Sequence, residues 1–171
     1  MRTLMIHSKT YGDHQLLYDD EDENFVQRRT WYVMKQPKSD RYYCLTNILI
    51  GEILRKRLFH RLLLNITNPQ ILIDHINHNG LDNRRENLRE CNGTQNLGNQ
   101  RLQKGRSSIY KGVSYKSRRS HLPTPWRAQI KINRNDIYLG YFSSEKEAAI
   151  TYNNAALEYF GEFAFLNDLE G

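Results

Sequence analysis

The 171-residue sequence predicts an α+β protein assembled from small modules. Three observations carry this. The chain is polar, with 39% hydrophobic and 26% charged residues and a mean hydropathy of −0.76. At roughly 150 residues per domain that length holds one domain or two small ones, and a polar chain favours two cores that are each marginal. Residues 71–100 read as strand, long loop, strand and short helix. Residues 109–167 read as a three-stranded antiparallel sheet packed on one helix.

Residues 1–70 form an N-terminal strand-rich segment and are the least legible. An acidic run, Asp19 to Glu23, precedes Asn24 to Trp31, which fits a short helix. Arg41 to Ile50 is rich in aromatic and β-branched residues, so it predicts a strand, with Gly51 marking a hairpin turn. Phe59 to Leu64 is apolar and open to either strand or helix. Ile71, Leu72 and Ile73 predict a buried strand, and His78-Asn79-Gly80 a turn. Leu88 marks a second strand, and Thr94 fits the N-cap of a helix through Gln95, Asn96 and Leu97. Residues 101–108, basic with Gly and Ser, read as a linker.

The last segment is the clearest. Trp126, Ala128, Ile130 and Ile132 alternate with Arg127, Gln129 and Lys131, which places apolar groups on one face and polar groups on the other. Asn133 to Asp136 predicts a turn, Ile137 to Phe142 the returning strand, and Tyr110 to Tyr115 a third strand. Ser144 and Glu147 fit a capping box. The helix behind it sets Ala148, Tyr152, Ala155, Ala156, Tyr159 and Phe160 on one face, and Gly161 stops it. Trp126 and the Tyr152, Tyr159, Phe160 stripe are expected in the core. There is no internal repeat.

Charge narrows the partners. The formal net charge is +6. From Cys91 to Asn135 there is no Asp or Glu in 45 residues, yet there are ten Lys and Arg. Residues 136–171 hold seven acids and one base. A long window without carboxylates predicts a surface facing a polyanion, with double-stranded DNA the expected partner. No apolar run approaches the ~18 residues needed to cross a membrane. No signal-like apolar stretch opens the chain, so a membrane partner is not expected. A small-molecule substrate is not expected either. Two cysteines, Cys44 and Cys91, argue against a disulfide scaffold and a structural zinc site and favour a reducing, cytoplasmic setting.

Asp74 and His75 close the predicted strand, and Asn87 and Asn96 follow His75 by 12 and 21 residues. Asp74 offers a hard anionic oxygen suited to Mg²⁺, and Asn96 a neutral amide oxygen for the same ion. His75 is a candidate general base near neutral pH. On spacing alone, a structural Asp-His pair remains the alternative. Asn83 and Arg85 fit loop-backbone bonding or phosphate contact, and Arg84 and Arg89 phosphate contact. His60 fits packing or hydrogen bonding rather than ligation.

The string from Asp74 to Arg89, with Gln95-Asn96 after it, resembles the HNH nuclease family in its variant with Asn as third motif residue. The likeness covers about 30 residues. It implies a ββα-metal fold in which His75 activates water. It further implies that Asp74 and Asn96 hold a divalent metal, Mg²⁺ with Mn²⁺ as substitute, and that Asn87 braces the loop orienting His75. Residues 109–167 resemble an Apetala-2/ethylene-response-factor DNA-binding domain through Tyr110-Lys-Gly-Val, Trp126-Arg-Ala-Gln-Ile, Tyr138-Leu-Gly-Tyr-Phe and the Ala-rich helix. That likeness implies a sheet lying in the major groove, with Lys111, Lys116, Gln129, Lys131 and Tyr138 touching DNA and Tyr152 reaching a phosphate. Arg127 joins them by the alternation alone. Ser114, Gln129 and the insertion Ser117 to Pro125 depart from the plant pattern, so the plant target sequence does not transfer.

Together the two resemblances look like a homing endonuclease of a phage or mobile element, a metal-dependent enzyme cutting or nicking DNA at a long, loosely specified site in a bacterial or phage-infected cell. One site per chain favours a monomer that nicks, and a dimer would cut both strands. The alternative is a DNA-binding regulator with an inactive nuclease module. An RNA-binding sheet is disfavoured because no paired exposed aromatics are evident.

Overall fold

The computed structural model describes residues 1–37, 39–102, 105–119 and 121–170. Gln103 and Lys104 of the predicted linker, and Ser120 of the insertion, lie outside them. The chain divides into two compact units, Met1–Cys91 and Asn92–Gly171. The division falls at residue 91 rather than in the predicted linker, so Asn96 belongs to the second unit.

In the first unit, β1 (Arg2–Ser8) and β2 (Gly12–Tyr18) form a hairpin. A short helix α1 (Glu23–Gln27) leads to β3 (Tyr32–Lys35), β4 (Tyr42–Ile50) and β5 (Ile53–Leu58), a three-stranded sheet in that order. Phe59–Leu63 resolves as helix α2. Strands β6 (Leu72–His75) and β7 (Leu88–Cys91) pair antiparallel. Leu16, Tyr18, Val26, Trp31, Cys44 and Phe59 make the core. Trp31 sits against Phe59 with centroids 4.6 Å apart, and its indole Nε1–H donates to Val26 O at 2.9 Å. A polar atom of a large buried ring is thereby satisfied.

β3 pairs with β4 only over Tyr42 to Leu45, so the rest of the β4–β5 hairpin runs on as a two-stranded arm. Its tip exposes Leu49, Ile50, Ile53 and Leu54, and its returning strand exposes Arg55, Lys56 and Arg57.

The second unit begins with α3 (Gly93–Gly98). Its N-cap is Asn92, not Thr94: Asn92 Oδ1 accepts from the Gln95 N–H, and Gln95 Oε1 accepts from the Asn92 N–H, both at 2.9 Å. This reciprocal box satisfies two groups where Thr94 would satisfy one. Strands β8 (Val113–Tyr115), β9 (Trp126–Ile132) and β10 (Asn135–Phe142) form a sheet with β9 central. Helix α4 (Glu145–Phe160) packs on it, opened by the Ser144/Glu147 capping box and ended by Gly161 at φ 52°. Ala128, Ala148, Ala149 and Tyr152 are buried between them. Ala149 turns inward and Tyr159 outward, a correction to the predicted stripe. Small alanines let helix and sheet approach closely. Gly112, at φ 78°, takes this further: a Cβ there would lie 1.9 Å from the Tyr152 ring.

Candidate functional site

The β6–β7 pairing sets Asp74 opposite Arg89 and His75 opposite Leu88. The loop between the strands is held by its own side chains. Asn87 spans it: Oδ1 accepts from the Asn77 N–H at 3.0 Å, and Nδ2 donates to Asp82 O at 2.7 Å. Its carbonyl accepts from the Ile76 N–H at 3.0 Å. Asn77 Oδ1 and Asn79 Oδ1 each accept from an N–H two residues on, and His78 takes φ 65°. Gly80 is required by close approach, since a Cβ would stand 2.4 Å from Tyr42 O. The loop is fastened to β2 by Leu17 N–H to Leu81 O and Asn83 N–H to Leu17 O, at 2.9 and 2.8 Å.

His75 is 5% exposed. Its ring meets His60 edge-on at 5.0 Å between centroids, and Tyr43 at 5.8 Å. Its Nε2 lies 3.4 Å from Asn83 Oδ1. Burial is the largest influence on His75 and lowers its pKa, so the imidazole is neutral near pH 7 and able to accept a proton. His60 is also buried, which pushes its pKa down to about 3, and its Nδ1 has no hydrogen-bond partner. The His60 ring packs edge-on against His75.

Asp74 is buried, and its Oδ2 accepts from Arg89 Nε and Nη2 at 3.0 and 2.9 Å. Arg84 donates to both oxygens of Asp82 at 2.8 and 2.7 Å and pairs with Glu86. Neither arginine stands open to a phosphate as predicted, because each neutralises a buried carboxylate whose desolvation would otherwise be costly. Arg85 is similarly engaged with Asp22 at 2.6 Å. The sequence reading passed over Asp82 and Tyr43. The acids Asp82 and Glu86 on either side of Arg84 and Arg85 were the available signal for the first.

Among the described residues no three His, Cys, Asp or Glu side chains cluster as a metal cage. A single buried carboxylate suits Mg²⁺ all the same, since that ion is commonly held by one or two carboxylates with the remaining oxygens from water and phosphate. Asn96 lies on α3 in the second unit. Cys44 and Cys91 are free and buried. Burial raises both thiols, Cys91 to about 11.

On the second unit's sheet, Arg127, Gln129 and Lys131 share the face away from α4, and Tyr138 stands opposite Gln129, 52% exposed. Lys131 pairs across the strands with Asp136 at 3.5 Å. The Lys116 backbone N–H donates to Pro125 O at 3.0 Å. Two predicted contacts lie elsewhere. The Lys111 ammonium donates to Leu97 O and Gly98 O at 3.2 and 2.6 Å, closing the C-terminal end of α3, and burial lowers its pKa to about 8. Carbonyls at a helix end attract a cation, so Lys111 turns inward. Tyr152 is 2% exposed and belongs to the core. Asn167 ties the C-terminal segment down, accepting from the Lys111 N–H at 2.6 Å and donating to Lys111 O at 3.1 Å.

With this geometry in hand, comparison with known proteins gives the family. The chain is 31% identical over 146 residues to a protein named uncharacterized HNH endonuclease L560, from Acanthamoeba polyphaga mimivirus, covering 85% of this chain and 70% of that relative. This chain belongs to the HNH endonuclease family. No family model and no solved structure matches it. No helix among the described residues is long and apolar enough to cross a membrane.

Proposed function

We propose that the protein is a metal-dependent DNA endonuclease of the homing type. The observation that carries this is His75 buried beside Asp74, at the mouth of a loop braced by Asn87, in a chain of the HNH endonuclease family. His75 takes the proton of the attacking water. Asp74 and Asn96 hold Mg²⁺, with Mn²⁺ able to replace it. They stand in different units, and their partnership rests on the motif resemblance. The ion supplies charge stabilisation at the phosphate and leaving oxygen. Asn87 orients His75 through the loop. The second unit works as an Apetala-2-type module, with Lys116, Arg127, Gln129, Lys131 and Tyr138 toward duplex DNA. The basic β4–β5 arm adds phosphate contacts through Arg55, Lys56 and Arg57.

The test is nicking of supercoiled plasmids carrying host-genome fragments, with Mg²⁺ or Mn²⁺, and with EDTA and His75→Ala as controls. Metal-dependent nicking lost in the variant supports the nuclease. One observation favours a second reading: Arg89 already neutralises Asp74. Tight, salt-sensitive binding without nicking in either metal would make the chain a DNA-binding regulator.

A further inference from the structure

The face of the second unit's sheet away from α4 carries two tyrosines that strict alternation would not put together, Tyr138 exposed and Tyr141 half-buried. Tyr138 and Tyr141 are three residues apart, so in a regular strand they would point to opposite faces. The pairing of β10 with β9 shifts between Tyr138 and Gly140. Such a bulge adds one residue and reverses the alternation beyond it. Tyr138 therefore stands opposite Gln129, Tyr141 stands opposite Arg127, and all four share the polar face. The two rings meet with centroids 5.4 Å apart. Gly140, at φ 136°, is the residue that lets the backbone make this step.

Arg127 completes the group. Its guanidinium carbon lies 5.6 Å from the Tyr138 ring centroid. Its Nε is enclosed without an acceptor, so ring packing rather than an ion pair holds the side chain there. Lys131 and Gln129 follow Arg127 at alternate positions on β9. Two aromatic rings and a guanidinium plane on one sheet face, flanked by a cation and an amide, are the kinds of group on which unpaired bases stack.

We infer that the Tyr138–Tyr141–Arg127 cluster is a stacking platform for unpaired bases of single-stranded DNA. This rests on the proposal that the sheet faces DNA, and extends it to a strand opened from the duplex.

The experiment uses the full chain in EDTA, which keeps cleavage out of the measurement. Fluorescence anisotropy is read with a labelled 20-nucleotide thymidine strand, an abasic strand of equal length, and a duplex. Stacking is worth ~1–3 kcal/mol per base, about 5- to 150-fold in affinity. The wild-type chain should bind the thymidine strand at least 5-fold tighter than the abasic one. Tyr141→Ala should reduce that preference to about one, while Tyr141→Phe, which keeps the ring, should retain it. Equal affinity of the wild-type chain for both strands would overturn the platform, and this comparison needs no variant to fold. Wild-type-like preference in Tyr141→Ala would also overturn it. Failure to bind strand or duplex alike would remove DNA from the sheet altogether, whereas duplex binding without base preference would remove only the platform.

Discussion

The first unit buries Asp74, His75, Asp82, Asn83 and Asn87 in one loop and the strands beside it. The second buries Ala128, Ala148, Ala149 and Tyr152 under a sheet whose other face is polar and partly exposed. A buried polar group costs stability unless its bonds are made. The loop answers that cost with paired side chains: Asn77 and Arg84 on Asp82, Arg89 on Asp74 and Asn87 across the loop. The second unit instead gains its order from close apolar contact. The contrast is between two ways of making order: the first unit buries polar side chains that bond one another, and the second packs small apolar side chains between helix and sheet. On the proposed function, the first arrangement would orient the His75 imidazole and the second would present the sheet face to DNA.

The strongest way to break this contrast is His75→Ala. Removing a general base typically costs 10²- to 10⁴-fold in rate. Nicking should fall by at least that lower figure while DNA affinity stays within about 2-fold, measured by plasmid nicking and anisotropy. A comparable loss of affinity would place His75 in binding rather than in the reaction.

Next in size is Gly112→Ala. The new methyl would meet the Tyr152 ring, and the backbone there sits at positive φ. Overpacking and a left-handed backbone each cost on the order of 1–3 kcal/mol. A thermal melt followed through Trp126, with Trp31 replaced by Phe, should show the second unit unfolding at lower temperature. An unchanged melt would mean the helix–sheet contact is looser than its geometry implies.

A smaller effect sharpens the account of the first unit. His60 has a pKa lowered from 6.5 to about 3 by burial. The unfolded chain binds the proton first, so the stability His60 contributes is full above pH 6.5 and is lost as pH falls toward 3. His60→Phe keeps a ring against His75 and cannot protonate. Its stability should fall less steeply between those limits, as read from urea titrations at stepped pH. An unchanged slope would show that His60 is not buried in the folded chain.

The smallest effect belongs to the sheet face. Lys131→Ala should lower the salt dependence of duplex binding by about one unit of log K against log[salt]. Lys131 must first leave Asp136, so an unchanged slope would mean that the ion pair persists on DNA.

How legible all this was depends on whether one local pattern decided the outcome. The β9 alternation, the Ser144 capping box and the Gly51 hairpin were readable because their signals lie within a few residues of each other. The β1–β2 hairpin was not, because β1 buries only Ile6 fully and so shows no clear period. Asp74, His75 and Asn87 were named from order and spacing, but their surroundings were not. Tyr43 and His60 reach His75 from β4 and α2, and no spacing near residue 75 encodes that. Arg84, Arg89 and Lys111 read as free cations because their partners, two carboxylates and a helix end, become neighbours only on folding. The Tyr138–Tyr141 pair was invisible for a related reason: one extra residue in β10 undoes the alternation from which the face was read.

Both cysteines, Cys44 and Cys91, lie within the first unit, and both are free and buried, Cys44 the more deeply. An alkylating reagent reaches a buried thiol only when the surrounding structure opens. The rate of modification at Cys44, in the core of the first unit, is therefore a clock for opening of that core. Timed labelling with and without DNA would measure how far the substrate slows that opening, in a wild-type chain with no added probe.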